Sequence, residues 1–249
     1  MTDLDDLWLR GFHSGPDDAP TLVCFPHAGG SATYFRPLSE ALSRSLRVLA
    51  VQYPGRQDRI REPLPATIDE FADAAFTALE PLMKEPVAFL GHSMGAVIAF
   101  EVATRMKERL DAHPSVLFLS GRRSPAVQRE SAVHLLDDAG LVEHLKRTSD
   151  TDPRILEDAS VLEMILPPLR SDYRAVETYR YRPGPKLDCP VVALVGEQDD
   201  SATAEDARGW ADHTTAYFSS HTFPGGHFFL REDQAAVVER IFENLSGGR

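Results

Sequence analysis

Gly91-His92-Ser93-Met94-Gly95 sets a serine between two glycines in the pattern G-x-S-x-G. A serine hydroxyl is a poor nucleophile at neutral pH and needs a base, which in turn needs an orienting carboxylate. The setting is what makes Ser93 a candidate. Val87-Ala88-Phe89-Leu90 is an apolar run with the length of a buried strand, and Ala96 to Ala103 reads as a helix. A strand that turns sharply into a helix crowds its own backbone, so Gly91 and Gly95 remove the side chains that would clash. Ser93 then stands at the tip of the turn with its hydroxyl exposed. The helix N-terminus beneath it directs N–H groups and positive potential at any anion forming there. The chemistry this arrangement serves is acyl transfer through a serine ester. A serine in an ordinary tight turn is the bland alternative, and the flanking strand and helix argue against it.

Behind such an elbow the chain order is serine, then acid, then histidine. That order prunes the nine histidines. His13, His27 and His92 precede Ser93, and the His92 side chain should point away from that of Ser93. His134 and His144 fall in a helical region, too early. His113 and His213 flank strands without a glycine context. His227 stands in Phe223-Pro224-Gly225-Gly226-His227-Phe228, where two glycines let a loop carry an imidazole above the sheet edge. His221 is the runner-up, but it should lie within a strand. The acid is expected in Gly196-Glu197-Gln198-Asp199-Asp200. Asp199 is taken, although spacing alone leaves Asp200 nearly equal. For the oxyanion, one N–H donor is that of Met94 and the other comes from Pro26-His27-Ala28-Gly29-Gly30, with Ala28 as the candidate and His27 as the alternative.

The elements that must position these residues alternate. Leu7 to Phe12 could be a first edge strand. Strands are expected at Thr21–Pro26, Leu46–Tyr53, Val87–Leu90, Ser115–Ser120, Pro190–Val195 and Thr214–Thr222. Helices are expected at about Ala32–Ser43, with Ser31 as N-cap, at Thr67–Met83, where Thr67 and Glu70 resemble a capping box, from Ala96 to about Leu110, and at Ala235–Leu245. A short helix is also placed at Ala202–Gly209. This is an α/β chain with a mostly parallel central sheet and helices on both faces. From about 125 to 182 no strand is apparent. Leu135, Leu136, Leu141, Val142, Leu145, Leu156, Leu162, Ile165, Leu166 and Leu169 recur at helical spacing, punctuated by Pro153 and Pro167-Pro168. The expectation is one domain over 1–249 with a helical lid at about 125–182 inserted between core strands.

The 249 residues and 43% hydrophobic content suffice for one full core. The net charge of −12 argues against a nucleic-acid or anionic-membrane footprint. All of that charge lies outside Arg122–Lys186, where acidic and basic residues balance. Two cysteines, Cys24 and Cys189, make no disulfide framework. Met1 to Asp6 is acidic with no apolar run behind it, so no signal peptide is expected, and no run reaches the roughly 18 apolar residues of a membrane span. A cytoplasmic monomer is expected. The histidines are scattered and no metal-ligand spacing, Walker loop or G-x-G-x-x-G occurs, so neither metal nor cofactor is expected.

Phe25-Pro26-His27-Ala28-Gly29-Gly30-Ser31, Tyr53-Pro54-Gly55-Arg56, Gly91-His92-Ser93-Met94-Gly95-Ala96 and Gly225-Gly226-His227-Phe228 stand in order. Together they resemble the discrete type II thioesterases of polyketide and nonribosomal peptide assembly lines, members of the α/β-hydrolase superfamily. Ser120-Gly121-Arg122-Arg123, Leu166 to Tyr173 and the Gly196–Asp199 loop extend the resemblance over nearly the whole chain. Met94 departs from it, since leucine is more usual there. The resemblance implies an editing hydrolase that removes stalled acyl groups from the phosphopantetheine thiol of acyl or peptidyl carrier domains. It favours Asp199 over Asp200, supports Ala28 and Met94 as oxyanion donors, and makes 125–182 a mobile lid over an acyl chamber. Acidic carriers would meet an acidic enzyme best at its least negative face, near Arg122, Arg123, Arg170, Arg174, Arg180 and Arg182. A general carboxylesterase, an acyltransferase with the same triad and a non-catalytic carrier-binding scaffold are the competing expectations.

Overall fold

A computed structural model describes residues 7–148 and 154–246. Met1 to Asp6 and Pro153 lie outside the described residues. In chain order the main elements are β1 (Leu9–Arg10), β2 (Thr21–Phe25), α1 (Arg36–Leu42), β3 (Arg47–Val51), α2 (Ile68–Leu79), β4 (Val87–His92), α3 (Met94–Leu110) and β5 (Leu117–Ser120). Then come α4 (Asp138–Thr148), α5 (Ala159–Thr178), β6 (Val191–Gly196), α6 (Ala204–Arg208), β7 (Phe218–Phe223), α7 (Phe229–Glu232) and α8 (Gln234–Ser246). The strands form one sheet in the order β1-β3-β2-β4-β5-β6-β7. Only β1 runs antiparallel to its neighbour.

Both faces of the sheet are covered, which is why its central strands are continuous apolar runs rather than alternating ones. Val23, Phe25, Phe89 and Leu119 pack with Phe71 of α2 and Val97 of α3. Leu22, Cys24, Leu90 and Phe118 pack on the other face with Leu42 of α1 and Ile241 of α8. The region between β5 and β6 is helical, as its periodicity predicts. Leu141, Leu145, Leu156, Leu166 and Leu169 make a small core of its own. Leu135 is not part of that core; it is 74% exposed.

Several local expectations change. Pro167 and Pro168 do not break the insert; both lie inside the 20-residue α5. A proline there removes an N–H bond and crowds the carbonyl four residues back. Tertiary packing offsets this, because Pro168 is buried against the Gly55 turn. Ser31 does not cap its helix with its side chain. The chain enters α1 through a tighter turn, Ala32–Phe35, and the Ser31 hydroxyl pairs instead with Thr33 Oγ1. Thr67 does accept the Glu70 N–H, but the Glu70 carboxylate reaches the N–H of Ala66 rather than that of Thr67. At α6 the cap is Thr203 with Asp206, a full reciprocal box.

The elbow carries the steric crowding that its glycines imply. A methyl group on Gly91 would lie 2.2 Å from the carbonyl oxygen of Gly95, and one on Gly95 would lie 2.0 Å from that of Phe25. Both contacts are with backbone, which cannot swing aside. Gly95→Ala is therefore expected to lower the unfolding free energy by about 3 kcal/mol. Gly184→Ala, where nothing lies within 4 Å of the added methyl, should change it by under about 0.5 kcal/mol. Urea denaturation of the two variants beside the wild type checks this.

Candidate active site

The turn from β4 into α3 holds Ser93 at φ 56°, ψ −115°, a conformation that a residue with a side chain rarely adopts. Its N–H donates to the Ser120 carbonyl at 2.8 Å, which ties the elbow to the end of β5. Phe25, the last residue of β2, pairs with Gly91 in β4, so the loop that follows β2 runs beside the elbow. Ala28 in that loop and Met94 at the head of α3 present N–H groups that no described residue takes up. Ser93, Met94, Ala28, Asp199 and His227 all line one cavity of about 750 Å³. That size lies within the range of small-molecule sites.

His227 Nδ1 lies 2.7 Å from Asp199 Oδ2 and 3.0 Å from Ser201 Oγ. Ser201 spends its only hydroxyl hydrogen on Asp199 Oδ1, at 2.6 Å, and its N–H bonds the same oxygen at 2.9 Å. Both neighbours of Nδ1 are then acceptors, so Nδ1 must carry the ring proton. Nε2 is left with its lone pair, the tautomer that a general base requires. Burial would raise the Asp199 carboxyl, but the hydrogen bonds from His227 and Ser201 prevail and hold it below the ordinary range. The loops that carry the acid and the imidazole are stitched by backbone: Glu197 N–H donates to Phe223 O at 2.8 Å, and Gln198 N–H to Gly225 O at 3.0 Å.

The other titratable candidates are placed elsewhere. Asp200 is exposed, and among the described residues only its backbone carbonyl is engaged, by Arg129. His221 lies within β7 and bonds Ser219. His134 pairs with Glu177, His144 with Tyr173 and His213 with Ser124. His92 is fully buried, with Nδ1 on Ser120 Oγ at 3.0 Å and its ring 5.0 Å from that of His227. His27 packs edge-on against Tyr34 and Phe228. Burial, reinforced by nearby positive charge, pushes His27 down to about 3 and His92 well below the usual imidazole range. Both are neutral at pH 7 and serve as aromatic walls behind His227.

Sequence reasoning did not single out three participants. Ser201 stands two residues after the acid, the spacing at which an aspartate accepts a local N–H, and that was its available signal. Asp172 of α5 and Arg56 form a buried ion pair, 1% and 5% exposed. Asp172 Oδ2 also accepts the Gly29 N–H at 2.7 Å. No local pattern announces a contact between residues 143 positions apart.

A serine turn at the carboxyl edge of a mostly parallel sheet, with an acid after β6 and a histidine after β7, defines the α/β-hydrolase fold in its serine form. The thioesterase domain family matches residues 20–245. The chain belongs to that family and is a hydrolase. It is 45% identical over 240 residues to Thioesterase PikA5 of Streptomyces venezuelae, covering 96% of this chain and 85% of the relative. It is 44% identical to a probable cadicidin biosynthesis thioesterase of Streptomyces griseus, covering 100% of this chain and 70% of the relative. Among solved structures it is similar to the type II thioesterase BorB from the borrelidin biosynthetic cluster, with 45% identity, a TM-score of 0.88, and 98% and 99% of the two chains covered. YbtT, a type II thioesterase from the yersiniabactin pathway, superposes with a TM-score of 0.87 at 26% identity, covering 97% and 99%. Among the described residues no helix is long and apolar enough to cross a membrane.

If Asp199 orients His227, Asp199→Asn should reduce kcat by about 1,000- to 10,000-fold through the wrong tautomer. Asp200→Asn should stay within about twofold of wild type. The depressed Asp199 carboxyl contributes stability above its unfolded pKa, and that contribution fades as pH falls through the folded one. The stability gap between wild type and Asp199→Asn should therefore shrink below about pH 4. Steady-state kinetics and pH-dependent chemical denaturation read these outcomes.

Proposed function

We propose that this enzyme hydrolyses acyl groups from the phosphopantetheine thiol of acyl or peptidyl carrier domains, and so clears stalled chains from a polyketide or nonribosomal peptide assembly line. The observation that carries this is the Asp199–His227 pair opening, with Ser93, onto a chamber that the helical insert roofs. Leu145, Ile165, Leu169 and Val176 of the insert line that chamber and make an apolar berth for an acyl chain. The full-length similarity to discrete thioesterases of biosynthetic clusters supports the same substrate class.

In this reading Ser93 Oγ attacks the thioester carbonyl while His227 Nε2 takes its proton. Asp199 steadies the imidazolium, and the N–H groups of Ala28 and Met94 hold the oxyanion. The thiol leaves with the proton from His227. Water, activated by the same nitrogen, then releases the acid from Ser93. Residues 1–249 act as one domain. The insert at 125–182 is its lid, fastened at α5, where Ser171 Oγ donates to Pro65 O at 2.8 Å. The enzyme works as a cytoplasmic monomer with Cys24 and Cys189 as free, buried thiols.

The carrier approaches beside the insert, but the basic face is narrower than the sequence implies. Arg170 is committed to Asp138 and to carbonyls of its own insert, and Arg182 to Asp69. Arg122 and Arg123 of that face do line the cavity, joined by Arg129 and Arg147. Arg147 and Arg174 are exposed. Ser93→Ala should abolish turnover, and mass spectrometry of wild type caught with an acyl-carrier substrate should place the acyl group on Ser93. Retained turnover in Ser93→Ala would refute the serine mechanism. A paired Arg147→Glu, Arg174→Glu variant should slow hydrolysis of acyl-carrier at least about fivefold, roughly the loss of two moderate ion pairs. It should leave a small acyl thioester unaffected, and equal loss on both would remove the docking face.

A further inference from the structure

Helix α5 touches the loop that carries the Ala28 N–H twice, and both contacts fall on Gly29. Asp172 Oδ2 accepts the Gly29 N–H at 2.7 Å, and the same oxygen is gripped by Arg56 Nη2. Three residues earlier on the helix, the Leu169 side chain lies so close that a methyl on Gly29 would meet its Cδ1 at 2.6 Å. Gly29 itself sits at φ +74°, where only glycine is unstrained. The far end of the loop is pinned by related wiring. Gln52 Oε1 accepts the Ala32 N–H at 2.9 Å, while Gln52 Nε2 donates to the carbonyl of Arg56 at 3.3 Å. Arg56 Nη1 in turn donates to Pro54 O at 2.9 Å. The loop is thus suspended between two side-chain acceptors, both linked to Arg56, and one of them belongs to the insert.

The same face of α5 is a wall of the acyl chamber, through Ile165, Leu169 and Tyr173. Leu169 belongs to both surfaces: it faces the chamber and abuts Gly29. A side chain that an acyl group presses is therefore in van der Waals contact with the residue next to Ala28. The aim of one oxyanion donor is worth about 100- to 1000-fold in rate, and a displacement of about 1 Å suffices to lose much of it.

We infer that Asp172 is a positioning residue, which holds Gly29 so that the Ala28 N–H faces the developing oxyanion, and that α5 carries the fit of the acyl chain to that donor. The inference rests on the assignment of Ser93 as nucleophile and Ala28 as oxyanion donor. It makes the enzyme discriminate among acyl groups in kcat rather than in binding, because a chain that seats poorly on Leu169 leaves the donor misaimed.

The test uses Asp172→Asn in the full chain, with an acyl-thioester series, a trifluoromethyl ketone that forms an oxyanion adduct on the serine, and the matching thioether as a ground-state mimic. Asp172→Asn should lower kcat about 100-fold with KM within about threefold. Affinity for the ketone should fall by a similar factor while thioether affinity holds, and the spread of kcat across acyl lengths should narrow. A rise in KM at constant kcat would overturn the inference, as would equal losses of ketone and thioether affinity or wild-type behaviour throughout. Should the variant fail to fold, hydrogen exchange of the Gly29 amide in the wild type decides. Protection that deepens when a long-chain ketone binds supports the inference, and an unprotected or ligand-insensitive amide overturns it. Failure of the underlying assignment would look different: the ketone would fail to modify Ser93 in the wild type.

Discussion

Ser93 stands at φ 56°, ψ −115°, a conformation that costs roughly 1–3 kcal/mol for a residue with a side chain. It persists because β4 is locked between β2 and β5, and α3 is packed across them, so the chain has no other route from strand to helix. The strain has a use. It lifts the hydroxyl clear of the backbone and leaves the Met94 N–H at the head of a 17-residue helix without an internal partner. The Ser93 hydroxyl and the Met94 N–H thus come from one steric constraint, and the Asp199–His227 pair lines the same cavity.

The imidazole partner is built with the same economy of degrees of freedom. Ser201 donates both its N–H and its hydroxyl to Asp199 Oδ1 while His227 meets Oδ2, and this decides the direction of every proton in the set. The carboxylate is nearly buried, yet its hydrogen bonds outweigh desolvation and keep it ionised. Behind the ring, His27 and His92 are imidazoles by sequence and neutral aromatic packing by environment. Of these neighbouring histidines two are therefore packing, and burial rather than residue type makes them so.

The pair Arg56–Asp172 joins the insert to the body of the enzyme. Breaking a buried pair of this kind by removing one partner typically costs about 3–5 kcal/mol, because the other charge is stranded. The pair also closes onto Gly29, so the cost of detaching the C-terminal half of α5 includes disturbing the loop beside Ser93. The small leucine core that joins α4 to α5 is separate from the two that flank the sheet.

The alternation of elements, the glycine-flanked turn at Ser93, and the helical character of the described part of 125–182 were all determined by the sequence by itself. Each is written in neighbouring residues: glycines where backbone crowds backbone, apolar runs where both faces are covered, leucines at helical spacing. Tertiary structure alone decided that Asp199 rather than Asp200 faces His227, since two adjacent carboxylates differ only in which way the loop after β6 turns. It alone kept Pro167 and Pro168 inside a helix, where packing outweighs the lost backbone bond, and it alone brought Asp172 to Gly29. Contacts of that last kind depend on long loops closing to ångström accuracy, and nothing in a local pattern of side chains encodes where such a closure ends.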